Sequence, residues 1–233
     1  MKTSIIILLL LYASLSKAQK LDGIWMSYDD YIIDSDKAGR PIGEGLLIDF
    51  DNKTIGHIRR DTMIRIGIDF EKKKIFIETD TLISLNYQVK NKDSLEIDFG
   101  QNMVEIFKPI DLNSELQITK NQISKYLTTN DFEDLGGEMN IKFSDKDFNE
   151  DLNIEKTYRR KTLINHTLNT NGYWYIREIK SNFFLVFTLE YIPDIHIFQI
   201  LKVSPCKITL NQIKLPEVFS LLKNEVTELK TCL

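Results

Sequence analysis

"GIWMSYDDY", residues 23–31, decides how this chain is read. With the period of two that a β-strand imposes, Trp25, Ser27, Asp29 and Tyr31 share one face. Met26, Tyr28 and Asp30 share the other. Neither face is cleanly apolar, whereas an ordinary core strand hides one greasy face and wets the other. The face with the large indole also carries a hydroxyl and a carboxylate, and a reading of the fold has to account for both.

Working outward, the first half of the chain continues as short alternating segments. "SLEIDF" puts Leu95, Ile97 and Phe99 on one face and Ser94, Glu96 and Asp98 on the other. "GLLIDF", "IRIGIDF", "KIFIET" and "SLNYQV" repeat the pattern, with polar turns at residues 51–53, 71–73 and 91–93 between them. Such strands and turns predict a mainly β fold, an antiparallel up-and-down meander. One face of each strand is wet, so the sheet must close on itself or pack against another layer.

The second half reads as a worn copy of the first. "IDFDNK" at 48–53 matches "IKFSDK" at 141–146, and "RRDTMI" at 59–64 matches "RRKTLI" at 159–164. "VEIFK" at 104–108 matches "FQILK" at 198–202, and "WMSYDDY" at 25–31 matches "YLTTNDF" at 126–132. The last match puts Tyr126, Thr128, Asn130 and Phe132 in the places of Trp25, Ser27, Asp29 and Tyr31. The expected organisation is two tandem units, 19–110 and 126–215, joined by a connector at 111–125. "SELQITKNQISKY" makes that connector helical, and residues 216–233 read as a C-terminal helix.

The N-terminus reads as a processing signal. Lys2 precedes an apolar run from Ile5 to Leu11 that is too short to span a bilayer, and Ser16-Lys17-Ala18 has small residues where a signal peptidase reads. Residues 1–18 are therefore expected to be a signal peptide cleaved after Ala18, with the protein secreted or periplasmic and without a stable membrane anchor. Loss of Lys2 and Lys17 takes the formal charge from −4 to −6. A chain with this acidic balance has no basic field for phosphate backbones, so nucleic acid is not an expected partner. Cys206 and Cys232 are the only two cysteines. Outside the cytoplasm they are candidates for a disulfide; the alternative is two buried thiols.

Gly23-Ile24-Trp25, followed at Tyr87 to Ile97 by a Y-x-V-x-N-x-x-x-L-x-I pattern and then "VEIF", resembles the small bacterial members of the lipocalin-like (calycin-type) barrels. The resemblance covers residues 21–110. It implies a barrel closed at one end by Trp25, with the Trp25 face turned inward. Ser27, Asp29, Tyr31 and Tyr87 would then line the interior. The family covers its Trp with an Arg from a late strand. "VEIFKPI" offers only Lys108 there, so Arg59 or Arg60 becomes the candidate cover. Under this resemblance Asp29 either lines a wet cavity or forms an internal ion pair with one of the arginines.

Catalytic patterns are thin. His57, His166 and His196 form no metal or triad spacing, and no Gly-x-Ser-x-Gly is present. "DKDFNEDLNIEK" at 145–156 lacks the Gly and the final Glu of a calcium loop, having Glu150 and Lys156 there, and reads as a solvated acidic loop. No cofactor, metal or enzymatic activity is expected. The leading function is a binding protein for a small, largely apolar molecule held in the barrel. The rival is an extracytoplasmic protein-binding module, inhibitor- or immunity-like, with a filled barrel and exposed aromatics such as Tyr28, Tyr173 and Tyr175.

Overall fold

The structure, a computed structural model, describes residues 21–32, 45–60, 62–100, 102–114, 116–133, 140–147, 160–165, 170–189, 192–204, 207–213 and 226–232. The expected signal peptide and Cys206 lie outside them.

The described chain is mainly strand. The first eight are β1 (Ile24–Ile32), β2 (Leu46–Asp49), β3 (Thr54–His57), β4 (Met63–Asp69), β5 (Lys74–Ile77), β6 (Asp80–Asn91), β7 (Ser94–Gly100) and β8 (Met103–Pro109). Each neighbours the next in sequence, and β8 returns antiparallel to β1, closing an up-and-down barrel. The other eight are β9 (Asp131–Glu133), β10 (Asn140–Asp147), β11 (Arg160–Asn165), β12 (Thr170–Ile179), β13 (Asn182–Leu189), β14 (Ile192–Ser204), β15 (Lys207–Gln212) and β16 (Val226–Cys232). They close in the same way, with β16 pairing antiparallel to β9. Closure removes the open edges that an exposed meander would present to other chains.

Local turn chemistry sets the meander. "DFDNK" and "DFEKK" are two versions of one turn. The carboxylate of Asp49 accepts from the backbone N–H of Asp51 and of Asn52, and that of Asp69 from Lys72. Each turn ends on a lysine in the left-handed region, Lys53 at φ 50° and Lys73 at φ 52°. The Asp side chain replaces ladder bonds that the turn cannot make. The backbone N–H of Lys72 holds the Asp69 carboxyl below its ordinary value. In the third turn Asn91 accepts from the Asp93 N–H at 2.8 Å.

Among the described residues the one helix is α1 (Lys120–Thr129). Thr119 and Gln122 form a capping box at its start, which satisfies backbone donors that the first turn leaves open. Its apolar side, Ile123 and Leu127, is buried in the core cluster of the second barrel with Phe132, Phe143 and Trp174. The residues before it are clasped to the same unit. Asn182, with no exposed surface, accepts from the Ser114 N–H and hydroxyl and donates to the carbonyl of Leu112 at 2.8 Å. Gln199 donates to the carbonyl of Asp111 at 2.6 Å.

Three expectations are corrected. The connector does not end at 125, and "YLTTNDF" does not open the second unit as a strand. Tyr126 to Thr129 belong to α1, and only Asp131–Glu133 are extended. The C-terminal helix expected over 216–233 is corrected in its second half: Val226–Cys232 is a strand paired on both sides, and residues 214–225 lie outside the described set. The loop expected from Asp145 onward starts later, because β10 runs through Asp147. Of the internal matches, "IDFDNK" and "IKFSDK" do begin on the second strand of each barrel. "VEIFK" lies on the eighth strand of the first barrel, whereas "FQILK" lies on the sixth of the second.

Candidate functional site

The mixed face of β1 is explained by a β-bulge. Opposite β8, Trp25 faces Pro109 and Ser27 faces Phe107, but Asp29 faces Ile106, the next residue along. Ser27, Tyr28 and Asp29 thus occupy the length that Phe107 and Ile106 occupy on β8. The extra residue reverses the alternation. Before it, Trp25 and Ser27 are buried at 4% and 2% exposure; beyond it, Asp29 is exposed. Asp29 therefore does not line the interior.

Asp29 sits beside Tyr28, whose phenol is held above its ordinary pKa, first by burial and then by the Asp29 charge. Lys108 lies 3.9 Å over the Tyr28 ring on the same outer side. Lys108, which stands where the lipocalin-like pattern has its arginine, is thus placed over Tyr28. Asp29→Asn should shift stability by less than about 1 kcal/mol in urea denaturation, as an exposed charge does. A dry internal ion pair would require about 3 kcal/mol or more.

Inside the first barrel the side chains form layers. Trp25 lies beside Ile48 and edge-on to Phe50, ring centroids 6.2 Å apart, and its indole N–H donates to the carbonyl of Asp22 at 2.9 Å. The next layer runs Ser27, Phe107, Leu95, Val89 across β1, β8, β7 and β6. The one beyond runs Glu105, Ile97, Tyr87. Phe107, Leu95, Ile97, Ile66 and Ile75 have no exposed surface, so this end of the barrel is filled by side chains. Three polar groups are set in that packing: Ser27, Glu105 at 2% exposure, and Tyr87, whose phenol is raised above its ordinary pKa first by burial and then by the Asp69 charge.

The opposite end is different. There the pairing is irregular: β5 and β6 shift register beyond Phe76 and Ser84, and β7 and β8 between Asp98 and Gly100. Ile64 precedes buried Ile66 by two residues, and Ile83 precedes buried Leu85 by two. Both are exposed, at 46% and 43%, and Ile77 and Phe99 are half-buried. The barrel is closed and packed around Trp25 and apolar at its open rim.

Of the six residues expected to bind ligand, the structure gathers Trp25, Ser27 and Tyr87 on the interior. It puts Asp29 outside, and the side chain of Tyr31 lies beyond the described set. Arg59 falls in the turn after β3, half-buried; its backbone N–H donates to Nδ1 of His57, and its buried Nε has no hydrogen-bond partner among the described residues. The described ring partner of Trp25 is Phe50 rather than an arginine. Glu105 was missed, although Met103, Glu105 and Phe107 alternate plainly in the sequence.

The second barrel is filled by aromatics. Phe132, Phe143 and Trp174 meet edge to face, and the Trp174 indole donates to the carbonyl of Ser144 at 3.1 Å. His196, 3% exposed, stacks on Phe187 at 4.9 Å, and Phe187 stacks in turn on Phe198. Burial pushes the His196 imidazole down to about 4. Among the described residues no three His, Cys, Asp or Glu side chains converge as a metal site would require.

Comparison with protein-family models, with curated proteins and with solved structures gives no significant match.

Proposed function

We propose that the chain is a binding protein that takes a small, largely apolar molecule at the open rim of the first barrel. One observation carries this reading: Ile64 and Ile83, each two residues before a buried residue of its strand, remain exposed at 46% and 43%. Apolar residues left in water together at one end of a barrel offer a binding surface. The filled layer around Trp25 supplies a rigid floor, and Tyr87 and Glu105 supply polar groups above it. The reading keeps the lipocalin-like resemblance, with a shallower site than a full-length cavity. It also takes the two barrels as tandem units and residues 1–18 as an export signal, so that the ligand is met outside the cytoplasm.

A second reading draws on the dense packing of both interiors. A filled barrel offers its surface to a protein partner, and the same exposed isoleucines would then be contact residues. The test is a titration with the apolar fluorophore 1-anilinonaphthalene-8-sulfonate, alongside native mass spectrometry of the purified chain. The Ile64→Asp/Ile83→Asp double variant should weaken the fluorophore by about tenfold or more, since each isoleucine contributes about 1–2 kcal/mol when covered. Its melting transition should stay in place, because both positions are already wet. Unchanged affinity in that variant would overturn the rim site. A wild-type chain that binds no fluorophore and carries no small molecule would leave the protein-partner reading.

A further inference from the structure

The outer surface of the first barrel carries a second feature. Asn86 on β6 pairs with Asp98 on β7, which pairs with Val104 on β8. One step along, Gln88 pairs with Glu96, which pairs with Ile106. Parity turns these residues outward, since Leu85, Tyr87, Leu95, Ile97, Glu105 and Phe107 between them are buried. Asn86, Gln88, Glu96, Asp98 and Val104 form, together with Tyr87, a hollow of about 450 Å³ with Lys73 at its border. Val104, only 5% exposed, is its apolar floor.

We infer that this hollow binds a neutral polyhydroxylated molecule, the chemistry of a sugar. Three features select that class. First, the charges cancel. Lys90 holds the Glu96 carboxylate at 3.1 Å, and Lys73 and Asp98 both line the hollow, so two ammonium groups balance two carboxylates. An anion meets the carboxylates, and a metal cation lacks a third acidic ligand among the described residues. Second, the polar groups match hydroxyls. Each hydroxyl both donates and accepts, and here carboxylates that only accept alternate with amides that do both. The Asn86 and Gln88 amides are exposed and enter no hydrogen bond among the described residues. Third, the acceptors are already oriented. One oxygen of Asp98 is fixed by the Gly100 N–H at 2.8 Å, and one of Glu96 by Lys90, leaving the other of each for a ligand. Orientation by the sheet and these contacts lowers the ordering cost of binding. A hydrocarbon face of a sugar ring rests on Val104.

The test uses the full chain, labelled with nitrogen-15, titrated with maltose and with N,N′-diacetylchitobiose. At least one should move the side-chain amide resonances of Asn86 and Gln88 in a saturable way. The Asn86→Ala/Gln88→Ala variant should weaken that sugar by about tenfold while leaving the fluorophore at the rim and the melting transition unchanged. If neither sugar moves those resonances, the inference fails. It fails equally if the double variant binds as wild type does, or if spermidine moves the resonances and the sugars do not, which would make the hollow a cation site. Because rim binding is read separately by the fluorophore, failure here leaves the proposed function standing, and the converse holds.

Discussion

Trp25→Ala should lower the stability of the first barrel by about 3–5 kcal/mol, the range for truncating a large buried aromatic. Three contacts are lost together: the flank of Ile48, the edge-to-face ring of Phe50, and the indole hydrogen bond to the Asp22 carbonyl at 2.9 Å. The surrounding layer contains Phe107 and Leu95 with no exposed surface, and a closed sheet relaxes poorly around a void. A domain of this size holds about 5–15 kcal/mol in total, so most of the reserve is at stake. Trp25→Phe keeps a ring and gives up the N–H, and should cost about 1–2 kcal/mol. Chemical denaturation followed by far-ultraviolet circular dichroism reads both. The chain has two tryptophans, so in the alanine variant the remaining fluorescence belongs to Trp174 in the second barrel. A denaturation midpoint that does not move with Trp25→Ala would mean that the indole is not a structural plug, and the packed-floor reading of the first barrel would fall with it.

Acidification should weaken the second barrel through His196. In the folded state its imidazole stays neutral down to about pH 4, because protonation would put a charge among Phe187, Phe198 and the core around them. In the unfolded chain the same group takes its proton near pH 6.5. Between those values the unfolded state binds more protons, so stability falls as pH is lowered through the window and is complete above it. The span corresponds to about 3 kcal/mol. Carboxylates titrate in the lower part of the same window, and His196→Phe separates the two. That variant keeps an aromatic ring stacked on Phe187 and removes the titrating group. Urea midpoints between pH 7 and 4 should fall more steeply for wild type than for the variant. Equal slopes would show that His196 reaches water, or a proton, in the folded state.

Much of the fold could be read along the chain. Residues 63–69, 74–77, 94–100 and 103–109 alternate plainly and are strands. The Asp and Asn turns at 49–53, 69–73 and 91–93 close as their chemistry requires. Thr119 and Gln122 announce the helix that follows. Trp25, Ser27 and Tyr87 were expected inside the barrel from the lipocalin-like resemblance, and that is where they lie. What could not be read is a break in periodicity. Sequence alternation assumes that every residue spends one pleat. The bulge at Tyr28 spends one extra, so Asp29, two residues after buried Ser27, is exposed. Nothing local marks it, because it exists only in the pairing of β1 with β8.

The C-terminus shows the same division from the other side. "VTELKTC", residues 226–232, carries Leu, Glu and Lys as readily as a helix does, and local propensity is a weak guide for so short a segment. Its neighbours decide. Without it, β15 and β9 each present an edge of unpaired backbone donors and acceptors, which a helix cannot satisfy and an eighth strand satisfies on both sides. By itself, then, the sequence determined which segments of the first half extend, where they turn, and that their sheet had to close on itself or pack against another layer to bury its apolar face. Only the tertiary structure decided which way β1 faces beyond Ser27, which segment closes the second barrel, and which isoleucines remain in water at the rim. Those three outcomes rest on backbone groups and side chains far apart in the chain, and such pairings exist only once the sheets have closed.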